Sequence, residues 1–325
     1  MDAALNFSAL FYAMFWWFLI VGFIGLPVLL IMLGVPAWRR PLLRHPRKVA
    51  VMGLVCGSVV GLTSYQLWLN HRERELLNPR LDHAVVVGEL ALPAGARVHL
   101  NALEPLDANG EPQTHGLASL SSVEFPAPHV VAGITVSALR LYFPPDTEML
   151  LAADQVIDGF PCAGGTWVTM SATEQTRLQP ERWRFTACTL VAGSVIAAET
   201  WPAQSRVSRE GDAYTVHNWL AEAPVSLRGI VLSNVIVTLD AQRRLSHWEG
   251  QLENPVTVGE WQYPHGTTVA QNRPDTLMFS PSPLSPARNL RTGQRLGRDH
   301  SILQRPADGR VLWIKPNGEI DAPDS

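Results

Sequence analysis

The chain has 325 residues, 46% of them hydrophobic, and a net charge of −3, which leaves room for a membrane anchor and one or two folded units. The small total hides an asymmetry: Asp82 to Ser280 holds 21 acids against 11 arginines, a net of −10, and Arg288 to Lys315 holds seven basic residues against two acids, a net of +5. An acidic body of that size argues against a nucleic-acid partner, whose groove needs the opposite sign.

The first element is an apolar run from about Phe7 to Trp38. About 20 helical residues cross the hydrocarbon core, so the embedded part is expected at Phe18 to Ala37, within a helix of about residues 16–38. That placement puts Trp16 and Trp17 at one interface and Trp38 at the other, as an aromatic belt requires. Pro27 frees a carbonyl one turn earlier and predicts a kink near Gly22 and Phe23. The N-terminal flank carries only Asp2, unlike the positive start of a cleavable leader.

Next comes RRPLLRHPRK, residues 39–48, with Arg39, Arg40, Arg44, Arg47 and Lys48 and no acid. A second run, Val49 to Leu69, has no charge at all and predicts a second span at about residues 49–70. Positive residues stay on the cytoplasmic side, so the ten-residue loop is expected in the cytoplasm and both termini outside it. Only two lysines stand against 24 arginines, a bias typical of a GC-rich bacterial gene. In a bacterium this places a hairpin of residues 1–78 in the inner membrane, with lipid as its partner and the rest of the chain in the periplasm. Gly53, Gly57 and Gly61 recur every four residues, on one helix face. Small residues let backbones approach closely, so this face predicts a packing seam against the first helix or against a second copy in a homodimer.

The helical pattern continues through Leu76 and Leu77 and stops before Pro79. Residues 79–279 then show short β-branched runs broken by Pro and Gly, which predict a mainly-β domain, a β-meander or an irregular array of hairpins. Leu139, Leu141 and Phe143 alternate with Arg140 and Tyr142, and Val235, Val237 and Leu239 with Ile236 and Thr238. One pattern recurs: Val85, Gly88, Pro93, Gly95 and Val98 are matched at identical spacing by Val256, Gly259, Pro264, Gly266 and Val269. Val195, Pro202, Gln204 and Val207 form a degenerate copy, and Val156, Gly159, Pro161, Gly164, Gly165 and Val168 one with a longer turn. A proline that presets φ, followed two residues later by a glycine free to take positive φ, predicts a hairpin turn at each copy.

GEWQYPHGTTV, from Gly259 to Val269, resembles one unit of the MORN-type β-hairpin repeats, which carry a Gly-Glu-Trp and a downstream His-Gly. The resemblance covers one unit, residues 256–269. It implies an elongated β-meander that serves as a scaffold or binding surface, with no catalytic residue carried over. Residues 280–325 close the chain: SPSPLSP, from Ser280 to Pro286, predicts a stiff linker, and a basic tail follows. That tail is expected to bind an anionic surface, its own acidic body or lipid head groups. Its end, Asp308 to Gly318, has two turn dipeptides around a short apolar run and predicts one more strand docking on the domain.

Motifs for chemistry are sparse. The ten histidines form no H-x-H or H-E-x-x-H, and no G-x-S-x-G, P-loop or G-x-G-x-x-G occurs, so no metal or cofactor is expected. Cys162 and Cys188, 26 residues apart, have no metal-ligand spacing and predict a disulfide in an oxidising compartment. The alternative makes Cys162 a nucleophile with His217 or His265 as base. Trp167, Trp183, Trp201, Trp219, Trp248, Trp261 and Trp313 pack a core or line a saccharide surface. The expectation is a non-enzymatic, membrane-anchored domain that binds a protein or an envelope polymer. The alternatives are a periplasmic enzyme acting on such a polymer and an accessory or immunity-type factor of a secretion system.

Overall fold

The computed structural model describes residues 23–36, 38, 45–141, 146–219, 223–282 and 285–320, in two units divided after Pro79. In the first unit a short apolar helix, α1 (Phe23–Gly34), precedes α2 (Pro46–Leu77). A proline opens the first turn of α2, where an N–H has no helical partner anyway. At the other end the Asn78 side chain donates to Arg74 O at 2.6 Å and its N–H to Glu75 O at 3.2 Å, and Pro79 stops the helix. The expected end at Leu77 is met. The start lies earlier than Val49, so Arg47 and Lys48 sit in the first turn and not in the loop.

Helix α2 is long and apolar enough to cross a membrane. Leu54, Leu62 and Leu67 all point away from the protein, and a helix apolar all round belongs in protein or lipid. Residues 18–22 and 37 of the expected first span, with Gly22 of the expected kink, and Arg39, Arg40 and Arg44 lie outside the described residues. The two helices meet through small residues. A Cβ on Gly25 would lie 3.0 Å from Cys56 Sγ, and one on Gly53 would lie 3.5 Å from Leu29. Leu29 and Cys56 are buried there. Gly53 thus belongs to the contact between α1 and α2, whereas a Cβ on Gly57 or Gly61 would meet none of the described residues within 4 Å.

The second unit is mainly β, with short 3-10 turns at Gly116–Ser119, Pro180–Arg182 and Asn317–Glu319. Strand β1 (Val85–Val87) returns through Gly88 and Glu89 into β2 (Leu90–Leu92), and β3 (Arg97–Leu100) then enters a fifteen-stranded antiparallel sheet. β4 (Leu120–Val131), β5 (Ile134–Leu141) and β6 (Asp146–Leu151) extend it. The chain leaves for a hairpin of β7 (Gln155–Ile157) and β8 (Phe160–Cys162), then returns as β9 (Trp167–Ser171) and β10 (Arg184–Thr189). It leaves again for β11 (Ser194–Ile196) and β12 (Glu199–Trp201), and returns as β13 (Arg206–Glu210) and β14 (Ala213–His217). β15 (Val225–Leu227) turns directly into the long β16 (Ile230–Leu239), which β17 (Leu245–Leu252) follows. β18 (Val256–Val258) and β19 (Trp261–Tyr263) precede β20 (Thr268–Arg273) and β21 (Thr276–Ser280). Last come β22 (Ala287–Asn289), β23 (Arg295–Leu296), β24 (His300–Arg305) and the edge strand β25 (Arg310–Pro316).

The stretch expected to be a linker and tail is therefore part of the domain, with β24 and β25 as its last two sheet strands. Pro281 and Pro286 lie between β21 and β22, where no ladder bond is needed, and Pro283 and Leu284 lie outside the described residues. The basic residues that follow do meet the acidic body: Arg291 Nε lies 2.7 Å from Glu260 Oε1 and Arg305 Nε 3.5 Å from Asp275 Oδ2.

Six hairpins share one construction: three antiparallel pairs closed by a two-residue turn. They span residues 85–92, 129–136, 155–162, 194–201, 225–232 and 256–263. Four of the turns take two consecutive positive φ values, at Ala132–Gly133, Asp158–Gly159, Ala197–Ala198 and Arg228–Gly229, the geometry of tight hairpin turns. Gly88 and Gly259 supply it at the first turn position alone. The Pro-x-Gly segments expected to be hairpin turns are instead corners leading into the sheet. Pro93 O accepts from Ala96 N at 3.3 Å, Pro264 O from Thr267 N at 3.3 Å, and Pro202 O from Ser205 N at 3.4 Å. Proline thus stands one place earlier in the turn than its φ preference suggested. The third turn residue, Gly95, Gln204 or Gly266, carries the positive φ.

The hairpins cover one face of the sheet. Tyr263 of β19 stacks on Phe279 of β21 with ring centroids 4.0 Å apart, and Phe160 of β8 meets Tyr214 of β14 at 4.9 Å. Along the sheet strands that face bears the core: Val98, Leu139, Met149, Val168, Val207, Val216, Val237, Trp248, Val269 and Ile302 are all buried. Alternation puts the intervening residues on the opposite face, which no hairpin covers.

Four of these hairpin tips are fastened to later residues of the domain. Glu89 N donates to Leu178 O at 2.8 Å. Asp158 lies between Arg243 (3.7 Å) and Arg209 (3.9 Å) and accepts from the Tyr214 hydroxyl at 2.8 Å. Arg228 Nη1 donates to Pro274 O at 3.0 Å, and Gly259 backs directly onto Gly309. Between β8 and β10 the fastening is covalent: Cys162 and Cys188 form a disulfide, with Cα atoms 5.8 Å apart.

Candidate functional site

The disulfide removes the nucleophile alternative, since neither bridged sulfur has a thiolate to offer. The bases weighed for it are separate and otherwise engaged. His217 stacks on Trp219 at 4.4 Å, and His265 Nδ1 pairs with Glu253 O at 2.9 Å. Burial, with a smaller contribution from the positive charge of Arg206, holds the His217 pKa below its ordinary value. Among the described residues no group of three His, Cys, Asp or Glu side chains could hold a metal ion.

A cavity of about 420 Å³ opens between two long sheet connections, residues 101–119 and 172–183. Three of its polar lining side chains, Arg177, Gln113 and Ser119, are tied to the chain itself. Arg177 donates to the carbonyls of Leu120, Leu141 and Ala118. Gln113 Nε2 donates to Glu104 O and Leu106 O, and Ser119 Oγ to Ala102 O and Gly116 O. Burial of the Arg177 guanidinium lowers its pKa, as expected for a cation used to close loops. The cavity is built mainly by bonds that hold the connections in place.

The uncovered sheet face is different. Register carries one row of it across the strands. On one half Arg97, Glu124, Ala138, Leu150 and Trp167 are successive partners. On the other, Thr189, Arg206, His217, Ile236, Glu249, Ala270, Met278, Leu303 and Trp313 follow one another. The seven tryptophans of the second unit divide between the faces. Trp183, Trp201, Trp248 and Trp261 are buried, whereas Trp167 and Trp313 are half-buried on the open row and Trp219, stacked on His217, is 57% exposed. Each exposed ring has a cation or imidazole beside it: Arg140 4.0 Å from the centre of Trp167, His217 on Trp219, and Lys315 5.6 Å from Trp313. Arg140 also pairs with Glu148 at 3.5 Å.

At the β25 end of this face lies a hollow of about 290 Å³, walled by Trp313 and edged by His247, Glu249, Asn272 and Lys315. Of these, sequence reasoning had singled out only Trp313. The available signal was alternation: a buried Trp248 on β17 puts His247 and Glu249 together on the other face. No family model matches the chain, and no curated protein or solved structure is detectably similar to it.

Proposed function

We propose that this chain is a bacterial inner-membrane protein that displays its β domain in the periplasm as a non-enzymatic binding scaffold. The observation that carries the reading is the asymmetry of the sheet. One face is covered by hairpins, while the other, among the described residues, carries Trp167, Trp219 and Trp313 with their charged neighbours. Such a face can take an extended partner without any rearrangement of the core, and aromatic rings supply rigid contact area at low entropic cost. The Cys162–Cys188 disulfide agrees with an oxidising compartment, and the apolar α2 with an anchor. The six hairpins of one construction support descent from a single repeated unit, in line with the MORN-type resemblance at residues 256–269.

Two measurements test it. Reporter fusions after Asn70 should be active only with a reporter that works in the periplasm. Full-length protein in lipid nanodiscs should co-sediment with isolated envelope polymer, and replacing Trp167, Trp219 and Trp313 together by Ala should release it. A cytoplasmic signal after residue 80, or retention by the triple variant, defeats the proposal.

A further inference from the structure

The hollow on the open face has a chemistry that points to one ligand class. Its floor is Ala270, buried between its register partners Glu249 and Met278. The depression exists because a methyl group stands where the flanking strands carry long side chains. One wall is the half-buried indole of Trp313, with the Lys315 ammonium over one face of that ring, 5.6 Å from its centre. Among the described residues the side chains of His247, Glu249 and Asn272, which line this hollow, have no hydrogen-bond or ion-pair partner within the chain. A carboxylate acceptor, a carboxamide that both donates and accepts, and an ammonium donor thus converge beside one aromatic face.

We propose that this hollow binds one 2-acetamido sugar ring of an envelope glycan strand, a site that rests on the scaffold reading above and deepens it. The C–H groups of a pyranose form a weakly positive apolar face, which packs on the electron-rich face of an indole. The ring hydroxyls donate to Glu249 and accept from Lys315. The carboxamide of Asn272 matches an acetamido group in both directions, and the acetamido methyl meets Met278 and Ala270. The hollow, near the lower end of ligand-pocket volumes, suits one ring, and the row through Glu249, Ile236 and His217 gives the rest of the strand a track toward Trp219. A peptide would satisfy the amide but leaves the indole without a flat partner.

The test uses the full chain in nanodiscs, titrated with N-acetylglucosamine and with its β-1,4-linked tetramer, followed by saturation-transfer NMR and calorimetry. The tetramer should bind more tightly than the monomer, with transfer to the acetamido methyl. Ala270→Leu, which fills the hollow, and Asn272→Ala, an exposed change that leaves the fold intact, should each weaken tetramer binding about tenfold or more, with the unfolding midpoint unchanged for the latter. Absence of tetramer binding, or binding unaffected by both substitutions, overturns the proposal, and a monomer bound as tightly as the tetramer overturns the strand. If polymer co-sedimentation survives Ala270→Leu while the triple tryptophan variant loses it, the scaffold reading stands and the hollow is not the site.

Discussion

Removing the Cys162–Cys188 bridge tests whether the hairpin layer and the sheet are held together as strongly as the connectivity implies. The bridge closes a loop of 26 residues. In the chain-entropy account a loop of that size restricts the unfolded chain by roughly 3.5 kcal/mol at 25 °C. Set against the roughly 5–15 kcal/mol of a whole domain, that is a large share. For a domain of about 250 residues it corresponds to a drop of about 7–14 °C in unfolding midpoint. Both sulfurs are fully buried, so serine would add a hydroxyl without a partner. The cleaner variant is Cys162→Ala with Cys188→Ala. Thermal unfolding of the full chain in nanodiscs, with and without reductant, should show wild type falling to the variant's midpoint when reduced. In unreduced, denatured protein only Cys56 should accept a thiol label. A variant midpoint within about 2 °C of wild type would refute the entropic argument, and labelling of Cys162 would refute the bridge itself.

Three further outcomes follow from named contacts. Gly259→Ala forces a side chain into φ +56 with its Cβ 2.5 Å from Gly309 O, and should cost more than Gly266→Ala, where φ is +77 but nothing lies within 4 Å. The control should lose about 1–2 kcal/mol in chemical denaturation, and equal losses would mean that the tip contact is slack. Tyr263→Phe leaves the buried Gln304 Oε1 without its hydroxyl donor and should lose about 1–3 kcal/mol; a loss below about 0.5 kcal/mol would show that a water or a rotated amide replaces the bond. His217, its pKa held down by burial, resists protonation in the folded chain while the unfolded chain takes up a proton near pH 6.5. Its contribution is therefore present above that pH and lost as pH falls through the folded pKa. Wild type should lose stability between pH 7.5 and 5.5 more steeply than His217→Phe, and parallel curves would contradict this.

The long helix was legible in the sequence because its signal is local: 21 residues without charge, then a proline. Strand texture was legible for the same reason, through alternation at Leu139 and Val237. What local patterns hid was the role of each turn. Pro-x-Gly drew attention away from the preceding Gly88 and Gly259, which close the hairpins, and it is absent at residues 129–136 and 225–232, which fold alike. The turn at Ala197 and Ala198 carries no glycine, so composition could not reveal it. Residues 280–286 looked like a linker because proline and serine tolerate any extended path, including a crossing inside a folded domain. The hollow was out of reach for a different reason: His247, Ala270, Met278 and Trp313 lie on four strands, and only register makes them neighbours.

The forward fastening of the hairpin tips has a consequence for how the chain is made. In most repeat proteins each unit leans on the one before it, so a growing chain is finished as it emerges. Here Gly88 waits for Leu178, Asp158 for Arg209 and Arg243, Arg228 for Pro274, and Gly259 for Gly309. In these four hairpins the tip contact forms only after later residues have been made. A chain stopped short of Gly309 would keep the hairpin at residues 256–263 paired to β22 but without the close backing of Gly309 on Gly259. Such a product should be conspicuous to quality-control proteases, which act on exposed and mobile segments. The domain is built from similar pieces, but each of these four is completed by residues made well after it.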